Sequence, residues 1–424
     1  MIYGKRKGFE MKKLSILLIA AICLLTAVTA FAQDDVVELR FIGMAQAAYS
    51  EENVNDMTAD FMAAHPNIKV ETEFVPYEEL RNKTMLAYGS NSPYDAALVD
   101  DIWFAEYASK GMIADITDQV PQEYKDGVLG GGWNFVTKGG KIVGLPWFLD
   151  TMYLYYNKAM LAEAGYTEAP KSLEEMIEMG RAMKEAGIVE YPFVFSMAQA
   201  EALICIYANF MEAMGRDFQD ADGNWIVQET GVEPLDLLIS MLDEGLINPN
   251  STEYLEEDTR MVFSSGDAAF TLNWMYVYQL AKDPAESSLD PEAVGIMVMP
   301  GAEGVKEHGA MSGSMGLSVM ANSAHPAETL EYIEYLTSKE LQETYSNLQL
   351  PVWTDSYDNP DVISGLEELA AAAKLAFGIM NARPSVANYQ EASAILQADI
   401  QSALLGDLSA QDALNDAVEQ MNAL

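Results

Sequence analysis

Cysteine and histidine are scarce in this sequence, which limits the metal and redox chemistry open to it. Two cysteines and three histidines occur in 424 residues, and none of them forms a Cys-x-x-Cys or His-x-x-x-His pair. Such pairs are typical of zinc sites, so we predict no metal centre and no cofactor. Cys205 lies in the apolar run ALICIYANF and is expected to be a small buried side chain.

Basic residues are also few. Lysine and arginine together number 24 against 65 aspartate and glutamate residues, and the net charge is −41 at pH 7. A surface with this charge repels the phosphates of nucleic acids and of anionic membranes. We therefore exclude nucleic acid as a partner.

Long apolar runs are missing except near the N-terminus. There, Lys12 and Lys13 precede the run LSILLIAAICLLTAV, and Ala30-Phe31-Ala32 follows it. A charged segment, a short apolar run and a small-x-small site are typical of a secretory signal peptide. We predict that residues 1–32 are this signal peptide and that the mature protein begins at Gln33 in the periplasm.

The translation start and the possibility of lipid anchoring each have two interpretations at the N-terminus. Translation starts at Met1 or at Met11, because the first ten residues, MIYGKRKGFE, read as an upstream extension. Cys23 lies in the apolar run, but Ile22 precedes it where a lipoprotein signal has a small residue, so lipid anchoring is disfavoured. Removal of Cys23 with the signal peptide leaves one cysteine, which excludes an intrachain disulfide.

Motifs for catalysis are largely absent. The serines in MSGSMG lack the Gly-x-Ser-x-Gly spacing of a nucleophile elbow, and no phosphate-binding glycine-rich loop precedes a helix. Paired carboxylates for glycoside hydrolysis remain an alternative, with Asp100, Asp101 and Asp150 as the obvious candidates. We predict that the protein is not an enzyme.

The pattern of apolar residues predicts an α/β fold. From VVELRFIGM to YDAALVD, strand-like and helix-like segments alternate three times with short connections, which favours a mainly parallel, doubly wound sheet. The part from 170 to 280 is mostly helical in pattern. Two further strand-like runs, VGIMVMP and MGLSVM, precede a long amphipathic segment after His325 and a helical tail.

Tryptophans recur beside acids or prolines at the predicted ends of strands. Trp103 follows Asp100 and Asp101, Trp147 lies near Asp150, and the remaining candidates are Trp274 and Trp353. An indole ring covers the C–H face of a sugar, while a carboxylate accepts hydrogen bonds from its hydroxyls. Each of these aromatics could equally be an ordinary core residue, and the recurrence at loop ends favours a sugar site.

The sequence resembles the extracellular solute-binding proteins of ATP-driven sugar importers, the family of maltose, trehalose and multiple-sugar binding proteins. The resemblance rests on YDAALVDDIWFAEYASKG, GLPWFLDTMYLYYNKAML, FSSGDAAFTLNW, SGSMGLSVMANSAHPAETLEYIEYL and ARPSVANYQE. It implies two α/β lobes of the periplasmic-binding-protein fold (type II-like), with a ligand cleft between them and a hinge of crossing segments. By this resemblance one lobe comprises 33–146 and 311–350, and the other comprises 147–310 and 351–424.

The resemblance also implies roles for individual residues. The acidic contact after the third strand falls on Asp100 or Asp101, the aromatic-x-Asp pair on Phe148 and Asp150, and the stacking ring on Trp274.

The remaining family positions follow in the same way. The glycine-rich strand entering the cleft corresponds to Gly313, Ser314 and Met315, where several relatives have an aromatic residue instead of Met315. Arg383 would hold hydroxyls or a carboxylate through its planar guanidinium group. Gln46 and Tyr49 are expected contacts from the first loop.

These expectations favour a monomeric, non-enzymatic protein that binds a neutral mono- or oligosaccharide and delivers it to a membrane permease. Two alternatives remain at this point. The same scaffold could bind a charged solute such as a glycerophosphodiester, a polyamine or a peptide. Less favoured is a secreted enzyme that acts on glycosides.

Overall fold

The structure is a computed structural model that describes residues 36–45 and 49–424. The predicted signal peptide, the choice between Met1 and Met11, and the expectations for Cys23 and Gln46 lie outside these residues. Within them, no helix is both long enough and apolar enough to cross a membrane.

Strands occur in three sheets of the described chain. They are β1 (Val37–Met44), β2 (Ile68–Val75), β3 (Ala96–Asp100), β4 (Thr137–Lys138), β5 (Lys141–Ile142), β6 (Leu145–Phe148), β7 (Tyr153–Asn157), β8 (Phe193–Val194), β9 (Phe270–Asn273), β10 (Val294–Pro300), β11 (His308–Gly309) and β12 (Met315–Val319). The two large sheets have five strands each, and β4 and β5 form a small hairpin.

Helices surround both large sheets. In the first half of the chain they are α1 (Glu51–Ala64), α2 (Tyr77–Tyr88), α3 (Phe104–Ser109), α4 (Gln122–Gly127), α5 (Gly130–Val136), α6 (Lys158–Glu163), α7 (Leu173–Glu185) and α8 (Glu201–Ala213). In the second half they are α9 (Val227–Thr230), α10 (Val232–Asp243), α11 (Glu256–Ser265), α12 (Val277–Lys282), α13 (Pro326–Leu336), α14 (Lys339–Thr344), α15 (Pro360–Ile363), α16 (Glu367–Ile379), α17 (Tyr389–Leu404) and α18 (Ala410–Met421).

The first sheet has the order β2-β1-β3-β12-β6 and forms the core of the first lobe. Strands β1, β2 and β3 pair in parallel, as the alternation of strands and helices predicts. Strand β12 runs antiparallel to both of its neighbours, β3 and β6. Ser50 begins α1 by accepting a hydrogen bond from the N–H of Asn53, whose side chain accepts one from the N–H of Ser50.

The second sheet has the order β11-β10-β7-β9-β8 and forms the core of the second lobe. Its pairings are antiparallel except the one between β8 and β9. The prediction of a mainly parallel sheet concerned the segment from VVELRFIGM to YDAALVD and does not extend to this lobe. Its strands are short and belong to distant parts of the chain, so the local pattern could not show their direction.

Helix α8 is the buried centre of the second lobe. Every residue from Glu201 to Ala213 is buried, and α8 packs against the helices α10 and α17 and the strands β10 and β11. A helix that is apolar on all sides requires such a position. The long amphipathic segment after His325 is divided into α13 and α14, which are separated by Thr337 and Ser338.

The first crossing between the lobes lies slightly later than predicted. Strand β6 continues to Phe148 and pairs with β12, so Trp147 and Phe148 belong to the first sheet instead of the second lobe. The chain enters the second sheet at Tyr153. The segment 149–152 connects the two sheets, and the predicted boundary between 146 and 147 falls inside β6.

Crossing segments lie side by side between the lobes. Thr151 donates its hydroxyl hydrogen to the carbonyl of Met311 at 2.8 Å. The N–H of Ser312 donates to the carbonyl of Asn381 at 2.8 Å, and the N–H of Asn381 donates to the carbonyl of Ala310 at 3.1 Å. Three chain segments thus share one narrow connection, which is the geometry of a hinge.

Candidate ligand-binding site

A cavity of about 410 Å³ lies between the two lobes. From the first lobe it is lined by residues at the carboxyl ends of the parallel strands and at the start of β12, namely Met44, Pro76, Asp100, Phe148, Gly313 and Met315. From the second lobe it is lined by residues at the end of β9 and at the first turns of α8 and α11, namely Glu201, Cys205, Glu256, Trp274 and Tyr276. Open α/β sheets place ligands at this edge, and the volume is in the range of small-molecule sites.

Asp150 lies in the first crossing, with its carboxylate against the cavity. One carboxylate oxygen accepts the N–H of Thr151 at 2.8 Å, and the other lies 3.4 Å from the N–H of Met275. The side chain is buried, and burial raises its pKa to about 8 although both N–H groups favour the ionised form. At neutral pH this carboxyl can therefore donate a hydrogen bond as well as accept one.

Trp274 is held in place from several directions. Its N–H donates to the side-chain oxygen of Asn273 at 2.8 Å, and its carbonyl accepts the hydroxyl of Tyr155 at 2.8 Å. The indole Nε1 donates to Glu256 at 3.4 Å. The six-membered ring lies so close to Gly313 that a Cβ atom there would be 2.3 Å from it. The ring is thus fixed across the cavity wall before any ligand binds.

Arg383 joins the two lobes through three carboxylates. Its guanidinium group donates to Asp100 at 3.3 Å, to Asp101 at 3.2 Å and to Glu201 at 2.6 Å. Asp100 ends β3 in the first lobe and Asp101 follows it, whereas Glu201 begins α8 in the second lobe. Burial raises the pKa of Asp100, Arg383 lowers it, and the neighbouring Asp101 raises it further.

Glu201 connects the guanidinium group of Arg383 to the tail helix α17. It accepts hydrogen bonds from the hydroxyls of Tyr389 at 2.7 Å and of Ser393 at 2.5 Å. Glu201 was not among the predicted site residues. A signal for it exists, since a glutamate that directly precedes the apolar run ALICIYANF must find partners when that run is buried.

The structure brings together seven of the predicted site residues at the cavity. They are Asp100, Phe148, Asp150, Trp274, Gly313, Met315 and Arg383. Asp101 and Ser314 lie behind this wall. The hydroxyl of Ser312 donates to Asp101 at 2.6 Å, and the fully buried hydroxyl of Ser314 is 3.3 Å from the N–H of Asp150. These two side chains support the cavity without lining it.

Three predicted aromatic residues do not line the cavity because they are packed elsewhere in the first lobe. Trp103 is buried, stacks on Tyr77 with 5.2 Å between ring centroids, and donates its Nε1 hydrogen to Gln390. Trp147 stacks on Tyr49 at 5.3 Å, and both are buried in the core of the first lobe. Side chains alternate between the two faces of β6, so Trp147 faces the core while the next residue, Phe148, faces the cavity.

Trp353 lies in a separate apolar cluster with Val128, Leu149 and Val352. Its Nε1 hydrogen is donated to the carbonyl of Thr337 at 3.0 Å. It joins the end of α13 to the crossing segments and has no contact with the cavity between the lobes. The local sequence of a tryptophan after a proline is the same whether the side chain faces a ligand or packs in a core, so the sequence could not distinguish the two positions.

Several lining residues were not predicted. Glu256 and Tyr276 flank Trp274, Tyr77 donates its hydroxyl hydrogen to Asp100 at 3.0 Å, and Glu78 lies at the exposed rim. Glu256 is the first residue of α11, and burial raises its pKa. No local pattern distinguishes this glutamate from its neighbours in YLEEDTR, because its position depends on how α11 packs against β9.

The chain belongs to the bacterial extracellular solute-binding protein family, whose sequence profile matches residues 46–343. This assignment agrees with the resemblance found in the sequence and makes the chain a solute-binding protein rather than an enzyme. Its members are extracellular, and the two-lobed architecture described above is that of this family.

Individual relatives give the same assignment. A Deinococcus radiodurans protein named "Probable ABC transporter-binding protein" is 30% identical over 214 residues, which cover 49% of this chain and 50% of that relative. An arabinooligosaccharide-binding protein of Halalkalibacterium halodurans is 23% identical over 318 residues, or 69% of this chain and 66% of the relative. The structure of maltose-bound T. maritima MalE3 superposes with a TM-score of 0.82 at 26% identity, covering 91% of this chain and 99% of that one.

Proposed function

We propose that this protein captures a mono- or oligosaccharide in the cavity between its lobes and delivers it to the permease of an ABC transporter. The observation that carries the proposal is the convergence of a fixed indole ring and several carboxyl groups on one interlobe cavity. Trp274 supplies the apolar face, and Asp100, Asp150 and Glu256 supply the polar groups. The carbohydrate ligands named for the relatives support the same ligand class.

The chemistry of the lining matches a polyhydroxylated ring. Each sugar hydroxyl both donates and accepts a hydrogen bond, and a ring also has an apolar C–H face. Trp274 and Phe148 provide flat apolar surface. The raised pKa of Asp150 gives a carboxyl group that can donate and accept at neutral pH. A sugar can therefore satisfy both kinds of group in one pose.

The same lining argues against an anionic ligand such as a glycerophosphodiester. Arg383 is the basic residue that lines the cavity in the described chain, and its guanidinium group is already bound by Asp100, Asp101 and Glu201. An anion would have to compete with three carboxylates for one cation. A phosphate would also meet the carboxyls of Asp150 and Glu256 without compensation.

The family and the predicted signal peptide support a proposal for the cellular setting. We propose that residues 1–32 direct export and are removed, and that the mature chain from Gln33 acts as a monomer in the periplasm. Ligand capture would close the two lobes about the crossing segments at 149–152, 310–312 and 381. The permease would then recognise the closed form.

Thermal unfolding of the mature protein, residues 33–424, tests this function. We would measure the melting temperature with a panel of mono- and oligosaccharides, with phosphodiesters as the comparison, and tryptophan fluorescence as a second readout. A ligand at one hundred times its Kd stabilises a protein by about 2.7 kcal/mol. A melting temperature that no sugar changes would overturn the proposal, and a shift with phosphodiesters alone would assign the anionic alternative instead.

A further inference from the structure

The cavity holds more carboxyl groups than its basic group can pair with. Among the described residues that line it, Glu78, Asp150 and Glu256 have no lysine, arginine or histidine within 4.0 Å. The remaining acids are paired, because Asp100 and Glu201 bind Arg383, and Glu257 binds Arg260. The segments 33–35 and 46–48, which lie outside the described residues, contain no basic side chain by sequence.

Two of the unpaired carboxyls flank the ring of Trp274. Asp150 lies at its backbone side, where one carboxylate oxygen is 3.4 Å from the N–H of Met275. Glu256 lies at the indole N–H edge, 3.4 Å from Nε1. A ligand ring that stacks on this indole is therefore within reach of a carboxyl group on two sides.

The carboxyl group of Asp150 is unfavourably placed as a free anion. Asp150 is only 6% exposed, and its protein partners within hydrogen-bond distance are two backbone N–H groups. Burial of a carboxylate without a cation costs several kcal/mol unless the group takes up a proton. A ligand that supplies a cation would remove that cost, whereas a neutral hydroxyl would not.

We propose that the ligand is a saccharide carrying a protonated amine, which sits on the indole of Trp274 between the carboxylates of Asp150 and Glu256. The inference rests on the proposed function, since it names the sugar class for the same cavity. The proposed ligand differs from the neutral sugar expected from the sequence only in its protonated amine. The ammonium forms charge-assisted hydrogen bonds with the two carboxylates, and the faces of Trp274 and Tyr276 attract a cation.

Matched sugars test this inference on the mature protein by isothermal titration calorimetry. Each set contains a hexose, its 2-amino derivative and the N-acetylated amine, for the gluco, galacto and manno forms and for the glucosamine disaccharide. Within a set the ring is the same and only the charge differs. We expect the amine to bind at least about tenfold more tightly than the other two members of its set.

Substitutions show whether the preference arises at these two carboxyls. Asp150→Asn and Glu256→Gln each remove a negative charge with little change in shape, and we expect each to reduce the preference for the amine several-fold. Asp236→Asn is the matched control, because Asp236 is exposed on α10 and far from the cavity lining. This control should keep the full preference of the unsubstituted protein.

The outcomes separate the inference from the function on which it rests. Hexoses that bind as tightly as their amines would overturn the inference and leave the proposed function intact. A preference for amines that survives both substitutions would also overturn it, since the overall acidic charge would then be the cause. Absence of binding by every member of every set would remove both the inference and the sugar assignment.

Discussion

Gly313 and Trp274 come from different lobes and meet at the cavity wall. A Cβ atom on Gly313 would lie 2.3 Å from the six-membered ring of Trp274, closer than any two carbon atoms pack. Two residues before β12, the first lobe therefore has a residue without a side chain where the second lobe places its indole. This contact limits the tilt of the ring and how closely the two lobes approach each other at this point.

Replacement of Gly313 by alanine should move the Trp274 ring. We expect a loss of about 1–3 kcal/mol in the free energy of unfolding, because the new methyl group overpacks the contact. Ligand affinity should fall by about tenfold, since the stacking face is displaced. Chemical denaturation and calorimetry measure the two effects.

Gly378→Ala is the control for that substitution. A Cβ atom at this position in α16 would meet no atom within 4 Å. It should leave affinity unchanged and alter stability by less than about 1 kcal/mol. Equal affinities for Gly313→Ala and Gly378→Ala would contradict the role given to the contact between Gly313 and Trp274.

Trp274 and Trp353 should behave in opposite ways. Trp274→Ala should weaken sugar binding by about tenfold or more and remove much of the ligand-induced change in fluorescence. Trp353→Phe should leave affinity intact but lower stability by about 1–3 kcal/mol, because the carbonyl of Thr337 loses its buried donor. Loss of affinity in Trp353→Phe would show that this second tryptophan also acts at the site.

Removal of the guanidinium group from Arg383 should be strongly destabilising. Arg383→Met leaves Asp100, Asp101 and Glu201 together without a cation, and we expect a loss of about 3–5 kcal/mol in the free energy of unfolding. The matched control is Arg181→Met, which breaks an exposed bidentate pair with Glu244 and should cost less than about 1 kcal/mol. Urea unfolding of both variants at neutral pH measures the two losses in the free energy of unfolding. Similar losses would contradict the role of Arg383 in stabilising the three buried carboxylates.

Asp150 should make stability depend on pH between about 4 and 8. Burial raises its pKa from 3.8 to about 8, so in this range the folded protein keeps a proton that the unfolded chain has released. The free energy of unfolding therefore falls as the pH rises, by at most about 1.4 kcal/mol per pH unit from this group, and levels off above its folded pKa.

Asp150→Asn isolates that contribution, because asparagine resembles the protonated acid at every pH. We expect the variant to lose the downward slope, and the gap between the two proteins to widen from pH 4 to pH 8. Denaturant titrations across this range measure the gap, with Asp236→Asn as the control for removing one negative charge. Parallel curves for Asp150→Asn and the unsubstituted protein would mean that Asp150 is already ionised in the folded state.

Local sequence determined much of the first lobe and part of the site. The alternating strands and helices from Val37 to Asp100 were predictable from local sequence. Within each element the apolar residues recur at the spacing of a strand or a helix, and capping residues or glycines mark where the helices begin and end. Asp150, Trp274 and Arg383 could be selected from the segments that resemble the solute-binding family. The charge balance predicted that nucleic acid is not a partner.

Tertiary packing decided the rest. Trp147 and Phe148 are neighbours with similar side chains, and only the pairing of β6 with β12 shows which of them faces the cavity. Glu201 and Glu256 are ordinary acids in sequence, and they become part of the cavity because α8 and α11 begin at its wall. Residues distant in the chain meet there, so the balance of charge in the cavity is a property of the folded protein that no single segment encodes.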